Sequence, residues 1–599
     1  MAALKPDPFD QEISRLVWET KYRAPGEADV RDTWRRVATA VASVEADPPH
    51  WQARFLELLG DFKFLPGGRI LAGAGIRRQV TLFNCFAMGT VEDSLDGIFE
   101  ALREGALTMQ QGGGVGYDFS TLRPRGTRAE SAGTVASGPV SFMHIFDVSC
   151  GVLLSTGSRR GAMMATLRCD HPDVMEFIDA KREPGVLRNF NLSVTVTDAF
   201  MAAVAADADW PLVFPAEQLA PGCGEGVLLR DWPGYERPVP CRVLRTVKAR
   251  ALWDRLMQAT YDVAEPGVLF IDRINRLNNL HYCERIHTTN PCSELPLPPY
   301  GACDLGSINL VRFVREPFSD HARLDLDAIA ALVPVAVRFL DDVIDLSGFP
   351  LEKQRRRARG TRRIGLGLTG LADTLILLGL HYDSEAARRL AGEVMATICH
   401  AAYRASVELA REKGPFPLFE PEAYLQGRFV AHLPADIRDA IATHGLRNSH
   451  LLAIAPTGSI SLLAGNVSSG LEPVFAWNYQ RRLQLGGREC RLVAVTDPAW
   501  ALWRRLHGDR PLPDCFVTTT DLPPEAHLTM QAALQRHVDS AISKTIHIPE
   551  DYPFEAFRDV YHRAYELGLK GCTTYRPNPA RGSVLVTERH CCDIDREGD

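Results

Sequence analysis

The chain of 599 residues has only 14 cysteines and no Cys-x-x-Cys pair, so neither a disulfide scaffold nor a zinc ribbon is encoded, and no metal ligand set stands out. Long apolar runs are missing as well. No stretch approaches the ~18 residues that would span a bilayer, and residues 1–12 lack the basic-then-apolar order of a signal peptide. These absences predict a cytoplasmic protein without membrane contact. Positive charge is not in excess: 67 basic against 74 acidic residues give a net charge of −7, which argues against a nucleic-acid binder and leaves room only for small polyanions. Repeats and low-complexity segments are also lacking. What is present is an ordinary globular composition, 46 % hydrophobic and 24 % charged, in a chain long enough to bury a large core.

Periodicity predicts an N-terminal helical region over residues 1–80. Trp34, Val37, Val41 and Val44 follow a candidate cap at Asp32, and Phe55, Leu58 and Leu59 follow a break at Pro48-Pro49. Beyond it, short strand-like runs such as Val194 to Val196 and Leu451 to Ile454 alternate with long helical patterns, the signature of an α/β architecture. The clearest helix covers Glu385 to Lys413, capped by Asp383 or Ser384 and closed by Gly414-Pro415; a second covers Ala249 to Val263. The Pro- and Gly-rich stretch 211–240 reads as an irregular insertion. Cys150, Cys169, Cys399 and Cys515 sit in apolar surroundings and read as core filling.

Several motifs are weak taken singly. Gly365 to Gly370 fits Gly-x-Gly-x-x-Gly, but the arginine-rich run 355–363 precedes it where a dinucleotide fold needs a buried strand. That basic run reads as a solvated face or a subunit contact. Gln110 to Gly116, with four glycines in five positions, either lets backbone approach a ligand or forms a tight turn. Pro456 to Ser461 gathers hydroxyls and amides at a helix start, which suits a phosphate or a plain capped helix.

Residues 289–303 are the most informative. Their prolines forbid a regular helix and favour an extended loop, in which Asn290, Cys292 and Glu294 would share one face. An amide, a sulfur and a carboxylate together suit chemistry on a polyol such as ribose; a cysteine nucleophile and a structural turn are the other readings.

Four dispersed segments in this order carry a resemblance: Phe83-Asn84-Cys85-Phe86, Asn290-x-Cys292-x-Glu294, Ala302-Cys303-Asp304-Leu305-Gly306, and Pro456 to Ser461. Together they resemble the large catalytic subunit of ribonucleotide reductases over roughly residues 60 to 580. The resemblance implies a ten-stranded α/β barrel of two parallel five-stranded halves, with a central finger loop carrying Cys292, over residues 81–578, followed by a tail at 579–599. It implies thiyl chemistry at Cys292, with Glu294 taking the 3′-hydroxyl proton and Asn290 holding the ribose hydroxyls. Cys85 and Cys303 would reduce the 2′ position by closing a disulfide. Thr457, Gly458, Ser459 and Ser461 would hold the substrate phosphates, with Asn84, Gly113 and Gly114 beside the nucleotide. Asp93, Arg123, Ser158 and Arg159 resemble a specificity site for deoxynucleoside triphosphate effectors, which implies allostery and a homodimer.

The classes of this family differ in radical source. Where the metal-dependent class has a second tyrosine in the segment similar to 571–578, this chain has Arg576, and no glycyl-radical motif occurs. The segments 571–578 and 466–473 resemble the adenosylcobalamin-dependent class, most similar to its diphosphate-reducing dimeric members. The alternatives are a large subunit needing a separate radical-generating partner, or a non-catalytic nucleotide-binding regulator. The start of the chain near the catalytic body predicts no ATP/dATP activity cone. Cys591 and Cys592 are the candidates for a tail pair passing electrons from thioredoxin or glutaredoxin, although adjacent cysteines form a strained ring.

Overall fold

A computed structural model describes residues 8–78, 80–129, 134–153, 161–486, 489–577, 585–586 and 591–592. Its core is a barrel built from ten strands: β1 (Phe64–Pro66), β2 (Cys85–Ala87), β3 (Gly114–Asp118), β4 (Met163–Arg168), β5 (Phe190–Val196), β6 (Gly267–Phe270), β7 (Ala302–Asn309), β8 (Ile364–Thr369), β9 (Thr545–His547) and β10 (Gly571–Tyr575). Strands β2 to β6 are parallel neighbours in chain order, with Cys85 opposite Gly114, Val115 opposite Met163, Met163 opposite Phe190 and Ser193 opposite Gly267. In the second half β7 runs parallel to β8, and β9 to β10. The gap between β8 and β9 is spanned by the extended segment 451–454, through parallel bridges Leu366–Leu452 and Ile454–Ile542. With segment 451–454 counted beside β7 to β10, each half therefore has five parallel members, and β1 lies outside the two halves. The halves meet at two antiparallel seams, β2 against β7 and β6 against β10, while β1 pairs antiparallel with the far end of β7. The expected barrel is what the chain forms. Every residue of β7 and of β8 is buried, as parallel strands covered on both faces require.

Inside the barrel stands a hairpin in which Thr288 pairs with Leu297 and Thr289 with Pro296, with Cys292 in the connecting turn. Both halves hold it. Thr288 Oγ1 donates to the Tyr117 carbonyl at 3.3 Å, Asn191 Nδ2 to the Pro291 carbonyl at 2.8 Å, and Ala541 N to the Glu294 carbonyl at 2.9 Å. Gly116 seats the stem: a Cβ there would overlap the Thr289 carbonyl.

The N-terminal helices pack outside. Helix Val30–Ala42 is capped by Asp29, whose side chain accepts from the Arg31 amide, while Asp32 returns a bond to the cap backbone. Asp32 is thus the third helical residue of a capping box and not the cap itself. Helix Glu385–Lys413 is capped by Ser384 and ends at Gly414, and Ala249–Val263 forms as expected. The stretch 211–240 differs from its expectation. It belongs to a three-stranded antiparallel sheet, Asp209–Pro215, Glu225–Arg230 and Val239–Lys248, with its own core around Val213, Phe214, Trp232 and Cys241. Of its prolines, Pro211 and Pro215 lie on an edge strand and Pro240 near the start of the middle one, where a sheet tolerates them, while Pro221, Pro233 and Pro238 fall in the connections.

The basic run also divides in a way its composition hides. Arg355 and Arg356 pair with Glu352 on an exposed helix, but Arg362 lies between Asp341 and Asp345, and Arg363 is buried against Glu284. Gly365 and Gly367 after it are strand residues of β8, where a Cβ on Gly367 would overlap the Ala453 carbonyl, so they serve close strand approach, while Gly370 precedes the next helix.

Candidate active site

Cys85 and Cys303, far apart in sequence, face each other as register partners across the β2–β7 seam. Both are buried, and they share a small cluster with Ala87, Leu295, Leu297, Leu305, Ala453 and Ala455. Both are free thiols. Burial, and then the Glu294 charge, push the Cys85 thiol well above the usual thiol range; burial and then Asp304 do the same to Cys303. The hairpin turn brings its polar groups to this pair. Asn290 Nδ2 donates to Cys85 Sγ at 3.1 Å, and Cys85 Sγ lies 3.8 Å from Glu294 Oε1. Asn290 Oδ1 accepts the Leu295 amide at 2.9 Å, which fixes the amide's orientation.

The three hairpin residues converge by a different route from the extended alternation expected of them. The Asn290 carbonyl accepts the Ser293 amide at 3.1 Å, and Ser293 has φ of +68°, so the chain reverses within the motif. Asn290 and Glu294 are buried toward Cys85, whereas Cys292 is half-buried and borders a cavity of about 2330 Å³. Of these three sulfurs it is the one that reaches that space.

Gly458, Ser459 and Ser461 line the same cavity. Behind them Thr457 Oγ1, Ser461 Oγ and Thr369 Oγ1 form a triangle of hydroxyls 2.9 to 3.0 Å apart. The Gly470 amide donates to Thr457 Oγ1 at 2.9 Å, and Lys21 Nζ from the N-terminal region donates to Ser459 Oγ at 2.6 Å. Gly113 and Gly114 do not border the cavity. A Cβ on Gly113 would press on the Phe86 ring and one on Gly114 on Pro291, so their lack of side chains seats β2 and the hairpin. Asn84 is buried next to Cys85, and its carbonyl accepts the Gly114 amide at 2.7 Å.

The ribonucleotide reductase barrel-domain family matches residues 83–575, and the ribonucleotide reductase all-alpha-domain family matches residues 9–79. The chain belongs to the ribonucleotide reductase family. Among its relatives, the vitamin B12-dependent ribonucleoside-diphosphate reductase of Mycobacterium tuberculosis (strain CDC 1551 / Oshkosh) is 38 % identical over 92 % of this chain and 76 % of its own length. The protein of the same name from Thermoplasma acidophilum is 37 % identical over 90 % of this chain and 66 % of its own. The vitamin B12-dependent ribonucleotide reductase of Streptomyces clavuligerus is 29 % identical, covering 84 % of this chain and 57 % of its own.

Within this ribonucleotide reductase the remaining expected residues are scattered. Asp93 and Arg123 meet: the Arg123 amide donates to Asp93 Oδ1 at 3.2 Å and its Nε to Oδ2 at 2.5 Å. Ser158 and Arg159 lie outside the described residues. Cys591–Cys592 form a two-residue strand whose backbone pairs with Leu585–Val586. Arg576 stacks over Tyr261, 4.0 Å from the ring centre, and donates to the Glu550 carbonyl at 2.6 Å. Sequence reading missed Thr369 and Lys21. Thr369 ends a Gly-rich strand and carries a hydroxyl where the strand enters the site, a signal visible in principle; Lys21 has no local signal at all. No helix among the described residues is long and apolar enough to cross a membrane.

Proposed function

We propose that this chain is an adenosylcobalamin-dependent ribonucleoside-diphosphate reductase. The observation that carries the reading is the facing pair Cys85 and Cys303 at the barrel seam, contacted by Asn290 and Glu294 from the hairpin that presents Cys292 to the cavity. The cavity, about 2330 Å³, exceeds the ~300–1,000 Å³ of a usual small-ligand site and has room for a nucleotide and a much larger cofactor together. Residues of β6 and β10 and of the segment 181–193 form the wall suited to the cofactor. When bound, adenosylcobalamin supplies a carbon-centred radical by homolysis of its cobalt–carbon bond.

The chain's own residues do the rest. Cys292, as a thiyl, takes the ribose 3′-hydrogen and forms its own S–H bond, and it returns that hydrogen at the end. Glu294 accepts the 3′-hydroxyl proton while Asn290 orients the hydroxyls. Cys85 and Cys303, held as neutral thiols, are proton donors rather than nucleophiles: the 2′-hydroxyl leaves as water, C2′ gains hydrogen, and the two sulfurs give up two electrons as they close a disulfide. Thr457, Gly458, Ser459 and Ser461 hold the phosphates. Asp93 and Arg123, with Ser158 and Arg159 as the further expected contributors, bind a deoxynucleoside triphosphate effector. Cys591 and Cys592 return electrons from thioredoxin or glutaredoxin, and the reductase works as a homodimer.

The test is deoxynucleotide formation by the purified chain with dithiothreitol and a ribonucleoside diphosphate, with and without adenosylcobalamin. Product should form only with the cofactor; no product in either arm, even with triphosphate substrates and effectors, refutes the reading. Cys292→Ser should lower turnover by more than about a thousandfold and leave nucleotide binding intact.

A further inference from the structure

The hydroxyl cradle has a shortage of charge. Residues 451–480 contain no lysine or arginine, so the segment that would hold the substrate's phosphates offers amides and hydroxyls only. A diphosphate needs a cation; several line the cavity, among them Arg481, Arg482 and Lys544, and one of them, Lys21 from outside the barrel, bonds a cradle hydroxyl. Lys21, in the short helical turn Trp18–Tyr22, lines the cavity and places Nζ 2.6 Å from Ser459 Oγ.

Its position is fixed from both sides. Ser14 Oγ donates to the Leu462 carbonyl at 2.6 Å in a buried contact, so helix Glu12–Val17 is fastened to the helix that carries Ser459 and Ser461. Gln11 Nε2 donates to the carbonyls of Gly465 and Thr496 at 3.0 and 2.8 Å, and the Thr496 amide returns a bond to Gln11 Oε1 at 3.0 Å. After Lys21, Arg36 Nη2 donates to the Tyr22 carbonyl at 3.2 Å, and its Nε pairs with Glu27 at 2.7 Å. Lys21 is therefore held at the cavity by contacts before and after it in the chain.

We propose that Lys21 is a substrate-phosphate ligand contributed by the N-terminal helical region, and that it sets the site's preference for nucleotides with more than one phosphate. An ammonium is a compact charge that serves phosphate oxygens at any angle, and a charge-assisted bond is about twice as strong as a neutral one. The bond to Ser459 places it beside the hydroxyls a phosphate would occupy. Because the ligand bridges the two regions, nucleotide binding also strengthens their docking. The inference rests on the nucleotide-reductase reading.

Calorimetric titration of the full chain and of Lys21→Gln and Lys21→Arg with ADP, AMP and adenosine decides it. Lys21→Gln should weaken ADP about tenfold or more, weaken AMP less, and leave adenosine within about twofold; Lys21→Arg should keep most of the ADP affinity. The salt dependence of ADP binding should also flatten in Lys21→Gln, which lost packing would not cause. Unchanged ADP affinity or salt dependence in Lys21→Gln, or equal losses for ADP and adenosine, overturns the proposal. A wild-type chain that binds no ADP would remove the nucleotide reading as well, whereas wild-type binding with an indifferent Lys21→Gln removes this proposal alone.

Discussion

At the scale of single residues the site sorts three sulfurs by environment. Cys292 is half-buried at the cavity, whereas Cys85 and Cys303 are enclosed and kept as thiols by burial and by the neighbouring carboxyls. Only a thiolate alkylates, so iodoacetamide on the reduced chain at pH 8 should label Cys292, which borders the cavity, more than about a hundredfold faster than the enclosed Cys85 and Cys303. Residue-resolved mass spectrometry reads this order. The sign with pH follows: burial and then Glu284 push the Cys283 thiol up to about 11, so its labelling should go on rising with pH beyond the ordinary thiol range while the buried pair stays protonated. Labelling of Cys85 at the rate of Cys292 would deny the environment described. Sequence spacing pointed to Asn290, Cys292 and Glu294 together, but not to their geometry, because the reversal at Ser293 uses a left-handed conformation that serine carries without any residue-type signal. Lys21 was illegible for a different reason: its contact spans 438 positions of sequence, and nothing local marks a lysine as a ligand.

At the scale of elements, the hairpin and the strand it leans on must fit without a side chain between them. Gly116 is where this is tightest, since a Cβ would meet the backbone carbonyl of Thr289, which cannot rotate away as a flexible side chain would. Gly116→Ala should therefore displace the hairpin, cost about 1–3 kcal/mol of stability, and lower turnover more than about tenfold as Cys292 moves off its station. Gly60→Ala, at φ of −58° with nothing within 4 Å of the added carbon, should change neither. Thermal melting and initial rates check both, and a fully active Gly116→Ala would show that the stem is not what positions the sulfur. Elements whose own sequence repeats a period were legible: Glu385–Lys413 and Ala249–Val263 show helical stripes with proper ends. The sheet within 209–248 was not, because three of its prolines occupy tolerated edge and end positions of strands and three the connections, and composition cannot tell the two apart. Segment 451–454 read correctly as extended, yet its barrel role is made only by single bridges to β8 and to Ile542.

At the scale of the whole molecule, one surface is poorly explained by a single copy. Helices Leu95–Gln110 and Pro139–Val152 pack beside each other and expose Leu95, Phe99, Ile145, Val148 and Val152, at 64, 49, 38, 67 and 76 % of their accessible area. Large apolar groups clustered on two adjacent helices suit a face that a partner would cover, and the proposed homodimer would bury it if a two-fold copy presented the same face. The Asp93–Arg123 pair lies at its edge, Asp93 directly preceding the Ser94 cap of the first helix. An effector held there would touch both the interface and the strand system leading to the active site, so dimer formation and effector response should be coupled. Phe99→Glu with Ile145→Glu should turn a dimer into a monomer by light scattering and abolish the effector's influence on which base is reduced. Basal reduction without effector should survive, because neither Phe99 nor Ile145 lines the cavity that Cys292 borders. If the wild-type chain stays monomeric at micromolar concentration with effector present, the face has another occupant; if the double variant dimerises normally, the interface lies elsewhere and the effector site must signal within one chain.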